Sequence, residues 1–312
     1  MNKIFFLGEC MIELRRTDKT NMRQSFAGDV FNSAVYLKRC FNKVSCAMVT
    51  ALGEDKLSTE MVEAFEQAGL DTGLVFRHPH KNAGLYAIET DDKGERSFTY
   101  WRSDSAARTL ARFLDKKVLS AFKAGDLLFF SGISLAVIAP QDREVFWQKL
   151  SALKDAGAVL VFDPNYRARM WQSTDEAKYA FDKAFSMAQI ALPGVEDLSA
   201  LYGINDARGV IEYCQSHDIK EVVVKDGPNS VLSLSQGHIE HHTIVPNQNV
   251  VDTTSAGDAF NGVYLGARMN DLDIDKSIAL AAKAASIVIQ HSGAIAPKEA
   301  FTDGMSPLLS SE

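Results

Sequence analysis

Several features that mark other classes of protein are absent from these 312 residues. Cysteine is scarce, and Cys10, Cys40, Cys46 and Cys214 are far apart and form no C-x-x-C pair. This spacing argues against a disulfide framework or a zinc site and favours free thiols in a reducing compartment. The G-x-x-x-x-G-K-[ST] phosphate loop, a strand-linked G-x-G-x-x-G fingerprint and the G-x-S-x-G hydrolase elbow are also missing, which argues against those three classes of site.

Long apolar runs and an excess of positive charge are missing too. The longest apolar stretch, 127–139, is interrupted by two serines and a glycine and is too short to cross a bilayer. The run at 4–7 is followed at once by Glu9, so we expect no signal peptide and a soluble, cytoplasmic protein. The net charge of -7 argues against nucleic acid or a membrane surface as the main partner, although local arginines can still bind an anionic substrate.

The composition is that of an ordinary globular protein, with 46% apolar and 23% charged residues. Short apolar runs predict strands at 4–7, 44–49, 127–130, 159–162, 190–192 and 221–225. Amphipathic stretches predict helices at 32–41, 57–68, 143–156, 174–187 and 207–217. Alternation of strand and helix at this spacing favours βαβ units. We therefore predict a three-layer α/β/α fold with a central, mostly parallel sheet.

One segment, 82–102, has a different pattern. Two alternating stretches flank a turn at 91–94, which predicts a β-hairpin. Phe98 and Tyr100 fall on one face of the second strand, and Trp101 points the opposite way. A hairpin that does not extend the parallel sheet is a candidate lid over a substrate. A surface hairpin without a function is the alternative.

A second segment, 13–26, is polar and shows no periodicity. The chain has no linker, low-complexity tract or repeat. We therefore expect one domain over 1–312, with lid excursions at about 10–27 and 82–102.

The most informative run is Asp-Thr-Thr-Ser-Ala-Gly-Asp at 252–258, directly before an apolar helix predicted at 259–268. Its small residues leave the backbone amides open to a ligand, and a helix N-terminus suits a phosphate. Asp258 is either a helix cap or a base that takes a proton from an attacking hydroxyl.

Arginines follow the strand predicted at 159–162. Arg167 and Arg169 lie where the carboxyl ends of parallel strands bind ligands, and each can contact a carboxylate or phosphate. Arg102 at the end of the hairpin is a third possible anion partner. An arginine-rich surface is the alternative interpretation.

Two further turns are weak signals when taken alone. Gly28, Asp29 and Asn32 stand before and within a predicted helix and offer groups suited to sugar hydroxyls. The turn at 225–230 follows a strand, and its amides and Lys225 are suited to nucleotide phosphates.

Taken together, the runs at 252–258 and 28–32 resemble the two signatures of the ribokinase-like (PfkB) sugar kinase family. Within that family, the segments 8–14, 84–90, 94–102, 131–136 and 163–167 resemble those of the 2-keto-3-deoxygluconate kinases. The resemblance spans essentially the whole chain. It implies ATP-dependent phosphorylation of 2-dehydro-3-deoxy-D-gluconate at its C6 hydroxyl. The alternatives are a kinase for a neutral sugar, of the fructokinase or ribokinase type, and a non-catalytic sugar-sensing protein.

The resemblance also implies roles for individual residues. The catalytic set is Asp258 as base, with an anion hole formed by the amides of Ser255, Ala256, Gly257 and Asp258. The sugar acid set is Gly28, Asp29, Asn32, Tyr86, Tyr100, Arg102 and Arg167. The ATP set is Asn165, Lys225, Gly227, Ser230, Gly257, Gly293 and Ala294. Because the substrate carries a carboxylate, Arg102 and Arg167 are expected to converge.

Two departures from the family pattern concern the ATP side. The family's Asn-x-x-Glu motif, which organises Mg²⁺ through water, appears here as Gly-Val-Glu-Asp at 194–197, so either Glu196 or Asp197 is expected to serve. The nucleotide turn has Lys225 and Ser230 at its ends in place of the usual residues. The resemblance further implies a homodimer or higher homo-oligomer through the lid, and no nucleic-acid or membrane partner.

Overall fold

The computed structural model describes residues 2–90, 96–228 and 230–309. The turn predicted at 91–94, and Asn229 of the turn predicted at 225–230, lie outside the described residues. Within those ranges no helix has the length and apolar character needed to cross a membrane.

The strands form two sheets. In chain order the strands are β1 (Lys3–Leu7), β2 (Met11–Arg16), β3 (Met22–Ala27), β4 (Ser45–Gly53), β5 (Asp71–His78), β6 (Gly84–Thr90), β7 (Arg96–Trp101), β8 (Leu127–Ser131), β9 (Val159–Asp163), β10 (Ile190–Ala191), β11 (Glu221–Asp226), β12 (Ser230–Ser235) and β13 (His238–Thr243). The main sheet has the order β13-β12-β11-β10-β9-β8-β1-β4-β5, and the small sheet has the order β3-β2-β6-β7. All strands of the main sheet from β11 to β5 pair in parallel, and β12 and β13 extend it antiparallel. The predicted mostly parallel sheet is confirmed.

Helices cover both faces of the main sheet. In chain order they are α1 (Asp29–Cys40), α2 (Lys56–Gln67), α3 (Leu110–Phe113), α4 (Lys116–Leu119), α5 (Gly132–Val137), α6 (Arg143–Asp155), α7 (Thr174–Met187), α8 (Val195–Tyr202), α9 (Ala207–Ser216), α10 (Ala256–Arg268), α11 (Ile274–Val288) and α12 (Lys298–Leu309). Alternate residues of β1 face opposite layers because side chains alternate along a strand. Phe5 and Leu7 join the core beneath α6, α7 and α9, and Ile4 and Phe6 join the core beneath α1, α10 and α11. The predicted three-layer architecture is confirmed.

The small sheet contains the predicted hairpin. β6 and β7 pair antiparallel, with Leu85 opposite Trp101. The inner face of the hairpin packs Phe98 and Tyr100 against a small apolar cluster, whereas Trp101 is 58% exposed on the outer face. This division of the aromatic residues agrees with the alternation in the sequence.

The polar segment at 13–26 is more regular than its sequence suggests. Most of it belongs to β2 and β3, which pair antiparallel, and β2 also pairs in parallel with β6. Met11 lies opposite Gly84 in that parallel pair, so the ladder joins residues more than seventy positions apart. No local pattern reveals such a partner, which is why these strands were not predicted.

Candidate active site

Asp258 lies in the first turn of α10 and is tied to the turn that precedes α1. Asn32 Nδ2 donates to Asp258 Oδ2 at 2.9 Å, and the Gly28 amide donates to Asn32 Oδ1 at 3.3 Å. The two helices approach closely at Gly262, where a Cβ would stand 2.0 Å from the carbonyl oxygen of Ser33. A residue without a side chain is therefore required for the helix packing that brings Asn32 to Asp258.

Burial raises the pKa of Asp258 to about 7, and the negative charge of Asp29 acts in the same direction. The hydrogen bond from Asn32 opposes this shift. The pKa of Asp29 is itself raised by burial and by the charge of Asp163. By surface area Asp258 is half-buried rather than fully enclosed. A carboxylate with a pKa near neutrality that remains within reach of a ligand is suited to general-base chemistry.

The start of α10, residues 255–258, is suited to bind an anion and is called the cradle. Ser255 precedes the helix in the left-handed conformation (φ 65°, ψ 9°), and its side chain does not cap the helix. The amides of Gly257 and Asp258 lie in the first turn, where the helix itself supplies no acceptor. Lys225 Nζ lies 3.9 Å from the place where a Cβ on Gly257 would stand, so its ammonium adds positive charge beside these amides.

Two residues that the sequence analysis missed hold Lys225. Its Nζ lies 3.1 Å from Asn261 Oδ1 and 3.4 Å from Asp163 Oδ1, and Asn261 Nδ2 donates to Asp163 Oδ2 at 2.8 Å. Asp163 could have been found, because it ends β9 at the carboxyl edge of the sheet. Asn261 lies within the apolar face of α10 and carried no such signal.

Asp29 accepts two hydrogen bonds on one oxygen. Ser131 Oγ donates to Asp29 Oδ2 at 2.5 Å, and Asn165 Nδ2 donates to the same atom at 3.1 Å. Asn165 was predicted on the ATP side, and the structure places its buried side chain against Asp29. The side-chain amide of Asn165 therefore helps to hold the Asp29 carboxylate in place.

Most of the predicted sugar acid residues line one pocket. Its lining residues are Glu9, Met11, Gly28, Asp29, Tyr100, Arg102, Ile133, Arg167, Arg169 and Met170. Arg102 and Arg167 therefore converge, as the sequence analysis expected. Tyr86 is not among the lining residues, because its buried hydroxyl donates to Glu13 behind the pocket wall.

The arginines of this pocket differ in how they are held. Arg102 pairs with Glu9, which is 2% exposed, and its guanidinium contacts the sulfur of Met170. Arg169 lies over the ring of Tyr100, 4.2 Å from its centroid, and donates to its hydroxyl at 2.5 Å. Arg167 is exposed and donates only to the neighbouring carbonyl among the described residues, so it is available to a ligand. Glu9 was missed, although it follows β1 at the edge of the sheet.

The residues predicted on the ATP side lie in two segments, the β11–β12 turn and the loop that follows α11. Gly227 has a left-handed conformation (φ 59°) and Ser230 begins β12, on either side of the β11–β12 turn. The amide of Gly293 donates to Asp252 Oδ2 at 2.8 Å. Ala294 packs against the inner face of the small sheet. The structure therefore places Gly293 and Ala294 next to both the 252–258 run and the small sheet.

Asp197 and Glu196 differ as candidates for a magnesium site. Asp197 is buried, and its two oxygens accept from the amides of Tyr166 at 2.7 Å and Gly194 at 3.3 Å. Burial and the charge of Asp163 raise the pKa of Asp197 to about 6. Glu196 is exposed. The carboxylates of Asp197 and Asp163 offer oxygen atoms, which are the ligands that Mg²⁺ prefers. Because both Asp197 oxygens already accept hydrogen bonds from backbone amides, Asp197 is better suited to hold the metal through a water molecule.

Two relatives align with this chain over most of its sequence. A 2-dehydro-3-deoxygluconokinase from Haemophilus influenzae is 37% identical over 307 residues, covering 97% of this chain and 98% of that protein. A fructokinase from Vibrio alginolyticus is 28% identical, covering 88% of this chain and 86% of its own. The chain is thus more similar to the first relative than to the second.

A solved structure shows the fold of the chain, and a family profile shows its family. A putative ribokinase II from E. coli superposes with a TM-score of 0.85 at 20% identity and covers 100% of both chains, which shows the shared fold. The profile of the pfkB family carbohydrate kinases matches residues 1–300. The chain therefore belongs to the pfkB family of carbohydrate kinases.

Proposed function

We propose that this chain transfers the γ-phosphoryl group of ATP to the C6 hydroxyl of 2-dehydro-3-deoxy-D-gluconate, giving 2-dehydro-3-deoxy-6-phospho-D-gluconate. One observation carries the proposal: Arg102 and Arg167 line the same pocket as Gly28 and Asp29. Arg102 is already paired with Glu9, whereas Arg167 has no ion pair among the described residues and can pair with a substrate carboxylate. Such a pocket fits a sugar acid better than a neutral sugar. The 37% identity to a kinase named for this substrate supports the same conclusion.

Asp258 accepts the proton of the C6 hydroxyl as the hydroxyl oxygen attacks the γ-phosphorus. The new O–P bond forms while the bond from that phosphorus to the β–γ bridging oxygen breaks, so ADP leaves and the proton remains on Asp258. Asn32 orients the carboxylate through its 2.9 Å hydrogen bond. The raised pKa of Asp258, about 7, makes it a stronger base than an exposed aspartate and still mostly ionised at mildly alkaline pH.

The amides of Ser255, Ala256, Gly257 and Asp258 surround the transferred phosphoryl group and stabilise its negative charge. Lys225 adds its positive charge beside these amides, held there by Asn261 and Asp163. Asp197, or Glu196 beside it, would hold Mg²⁺ through water. When bound, the metal neutralises charge on the ATP phosphates.

The remaining predicted ATP-side residues lie in turns near the cradle, where they can contact the nucleotide. Gly227 and Ser230 flank a turn after β11, and Gly293 and Ala294 flank the cradle on its other side. Asn165 contributes indirectly, through Asp29.

The substrate assignment is tested by comparing three sugars under one assay. ADP release is measured with the keto-deoxy sugar acid, fructose and ribose at matched concentrations. We expect turnover with the acid and a much lower kcat/KM with the neutral sugars. Preference for a neutral sugar would replace the assignment with a fructokinase or ribokinase activity, and binding without ADP release would indicate a non-catalytic sugar-binding protein.

We further propose one kinase domain whose small sheet acts as the lid, and a cytoplasmic homodimer formed through that lid. The outer face of the small sheet exposes Trp101 by 58% and Met22 by 38%, which supports a contact between subunits there. Light scattering of the wild type and of Trp101→Glu tests this. A monomeric wild type would refute the dimer.

A further inference from the structure

Arg15, on the inner side of β2, has no role in the reaction described above. Its Nη1 donates to Ser292 Oγ at 2.5 Å. Its guanidinium also lies against Gly293, where a Cβ would stand 3.0 Å from Nη2 and 3.4 Å from Cζ. Gly293 has a φ of 99°, a conformation that favours glycine. Arg15 is therefore packed tightly onto the loop that follows α11.

This loop is bonded to the segment that forms the anion cradle. The Gly293 amide donates to Asp252 Oδ2 at 2.8 Å, and the Thr254 amide donates to Asp252 Oδ1 at 2.8 Å. Thr254 is adjacent to Ser255, the first residue of the cradle. A contact made by Arg15 on Gly293 is therefore two hydrogen bonds away from the phosphate-binding amides.

On its other side, Arg15 is connected to the sugar acid pocket. Its Nη2 lies 3.9 Å from Glu13 Oε1, and Glu13 accepts from the Tyr86 hydroxyl. The Tyr86 ring stacks on Tyr100, with 5.6 Å between their centroids, and Tyr100 lines the pocket. Ala294, next to Gly293, packs in the same apolar cluster as Tyr86. The small sheet and the 292–294 loop thus form one packed unit.

We propose that Arg15 is a positioning residue that couples the binding of the sugar acid to the binding of the nucleotide. The inference rests on the proposed function, since it assumes that the small sheet contacts the acid and the cradle contacts ATP. Arg15 makes its contacts only when the small sheet and the 292–294 loop are both in place. A ligand that fixes one of them therefore lowers the cost of fixing the other, and coupling of this kind is reciprocal.

The test measures binding rather than turnover. The affinity of a non-hydrolysable ATP analogue is determined with and without saturating 2-dehydro-3-deoxy-D-gluconate, and the ratio of the two affinities is the coupling factor. In the wild type we expect a factor of about five or more, the lower end of the usual range for coupled sites. In Arg15→Ala we expect the factor to fall below about two, while the affinity for the acid alone and the melting temperature stay near those of the wild type.

Arg16→Ala is the matched control. Arg16 is the next residue of β2, points to the opposite face and pairs with Glu89 at the surface, so its loss should leave the coupling factor unchanged. Ser292→Ala tests the hydrogen bond itself, and the double variant should lose no more coupling than Arg15→Ala alone.

Three outcomes would overturn the inference: a wild type without coupling, an Arg15→Ala variant with the wild-type factor, or additive losses for Arg15→Ala and Ser292→Ala. Failure of the wild type to bind the sugar acid at all would instead refute the proposed function. The two ideas can therefore fail separately.

Discussion

The carboxyl edge of the main sheet and the small sheet differ in how they hold their charged groups. At the edge of the main sheet, each of three aspartates accepts from an asparagine amide: Asn32 to Asp258 at 2.9 Å, Asn165 to Asp29 at 3.1 Å, and Asn261 to Asp163 at 2.8 Å. On the outer face of the small sheet, by contrast, Arg16 and Glu89 pair at the surface with both side chains well exposed.

Buried carboxylates held by amides keep a fixed geometry, whereas surface ion pairs contribute little to stability. The edge of the main sheet is therefore suited to chemistry that needs atoms in fixed positions. The small sheet, together with the arginines it faces, is suited to recognising the substrate. Changes at the first should lower kcat, and changes at the second should mainly raise KM.

The largest effect is expected from removing the base. Asp258→Asn keeps the shape and the contact with Asn32 but cannot accept a proton, so kcat should fall about 10²–10⁴-fold with KM for the sugar acid little changed. Steady-state kinetics measure both parameters. Asp271→Asn, an exposed aspartate beyond the other end of α10, is the control. Near-normal turnover of Asp258→Asn would contradict the role of base.

The same variant should be more stable than the wild type at alkaline pH. The folded pKa of Asp258, about 7, lies above the ordinary value of 3.8, so the folded state holds its proton more tightly than the unfolded chain. Stability contributed by that proton is complete below about pH 4 and is lost as the pH rises to about 7.

Asp258→Asn avoids this loss. Above pH 7 its free energy of unfolding should exceed that of the wild type by at most about 4 kcal/mol. Thermal unfolding of both proteins from pH 4 to pH 8 should show a difference in Tm that grows with pH up to about 7. A constant difference across that range would show that Asp258 is not the group responsible.

Removing an arginine should change substrate preference more than the chemistry. Arg167 is exposed and free of a charged partner among the described residues, so Arg167→Ala should leave Tm unchanged. A charge-assisted hydrogen bond contributes about 1.5–3 kcal/mol to binding. Its loss should therefore raise KM for the sugar acid about 10–150-fold. Arg208→Ala, whose partner Glu212 is at the surface, is the control. An unchanged KM would favour a neutral substrate.

The smallest effect on the reaction is expected at Tyr86, whose hydroxyl does not enter the pocket. Tyr86→Phe removes the hydroxyl that donates to buried Glu13, at a cost of about 1–3 kcal/mol in stability. Chemical denaturation measures this cost. Tyr179→Phe, whose ring is 64% exposed, should cost close to nothing. Equal stability of the two variants would mean that Glu13 finds another donor.

Much of the main sheet could be predicted, because its strands and helices have strong local patterns. The runs at 4–7 and 159–162 are apolar throughout, as strands buried on both faces must be. The small sheet was only half predictable. The sequence of β6 and β7 shows alternation on either side of a turn signal, whereas β2 pairs with β6 across a long sequence separation.

The candidate site divides in the same way. Asp258, Gly28 and Arg167 stand beside recognisable turns and strand ends, so their positions could be predicted. Glu9 and Asn261 become meaningful only when Arg102 and Lys225 are placed beside them.

By itself, the sequence determined the three-layer fold and the family and predicted an anion-binding run at 252–258, because each depends on patterns of residues that are neighbours along the chain. Tertiary structure alone decided that Asn165 supports Asp29, that Tyr86 donates behind the pocket rather than into it, and that Arg15 joins the small sheet to the 292–294 loop. Each of these depends on a polar side chain finding a partner, and that partner is supplied by whichever distant segment the packing brings into reach.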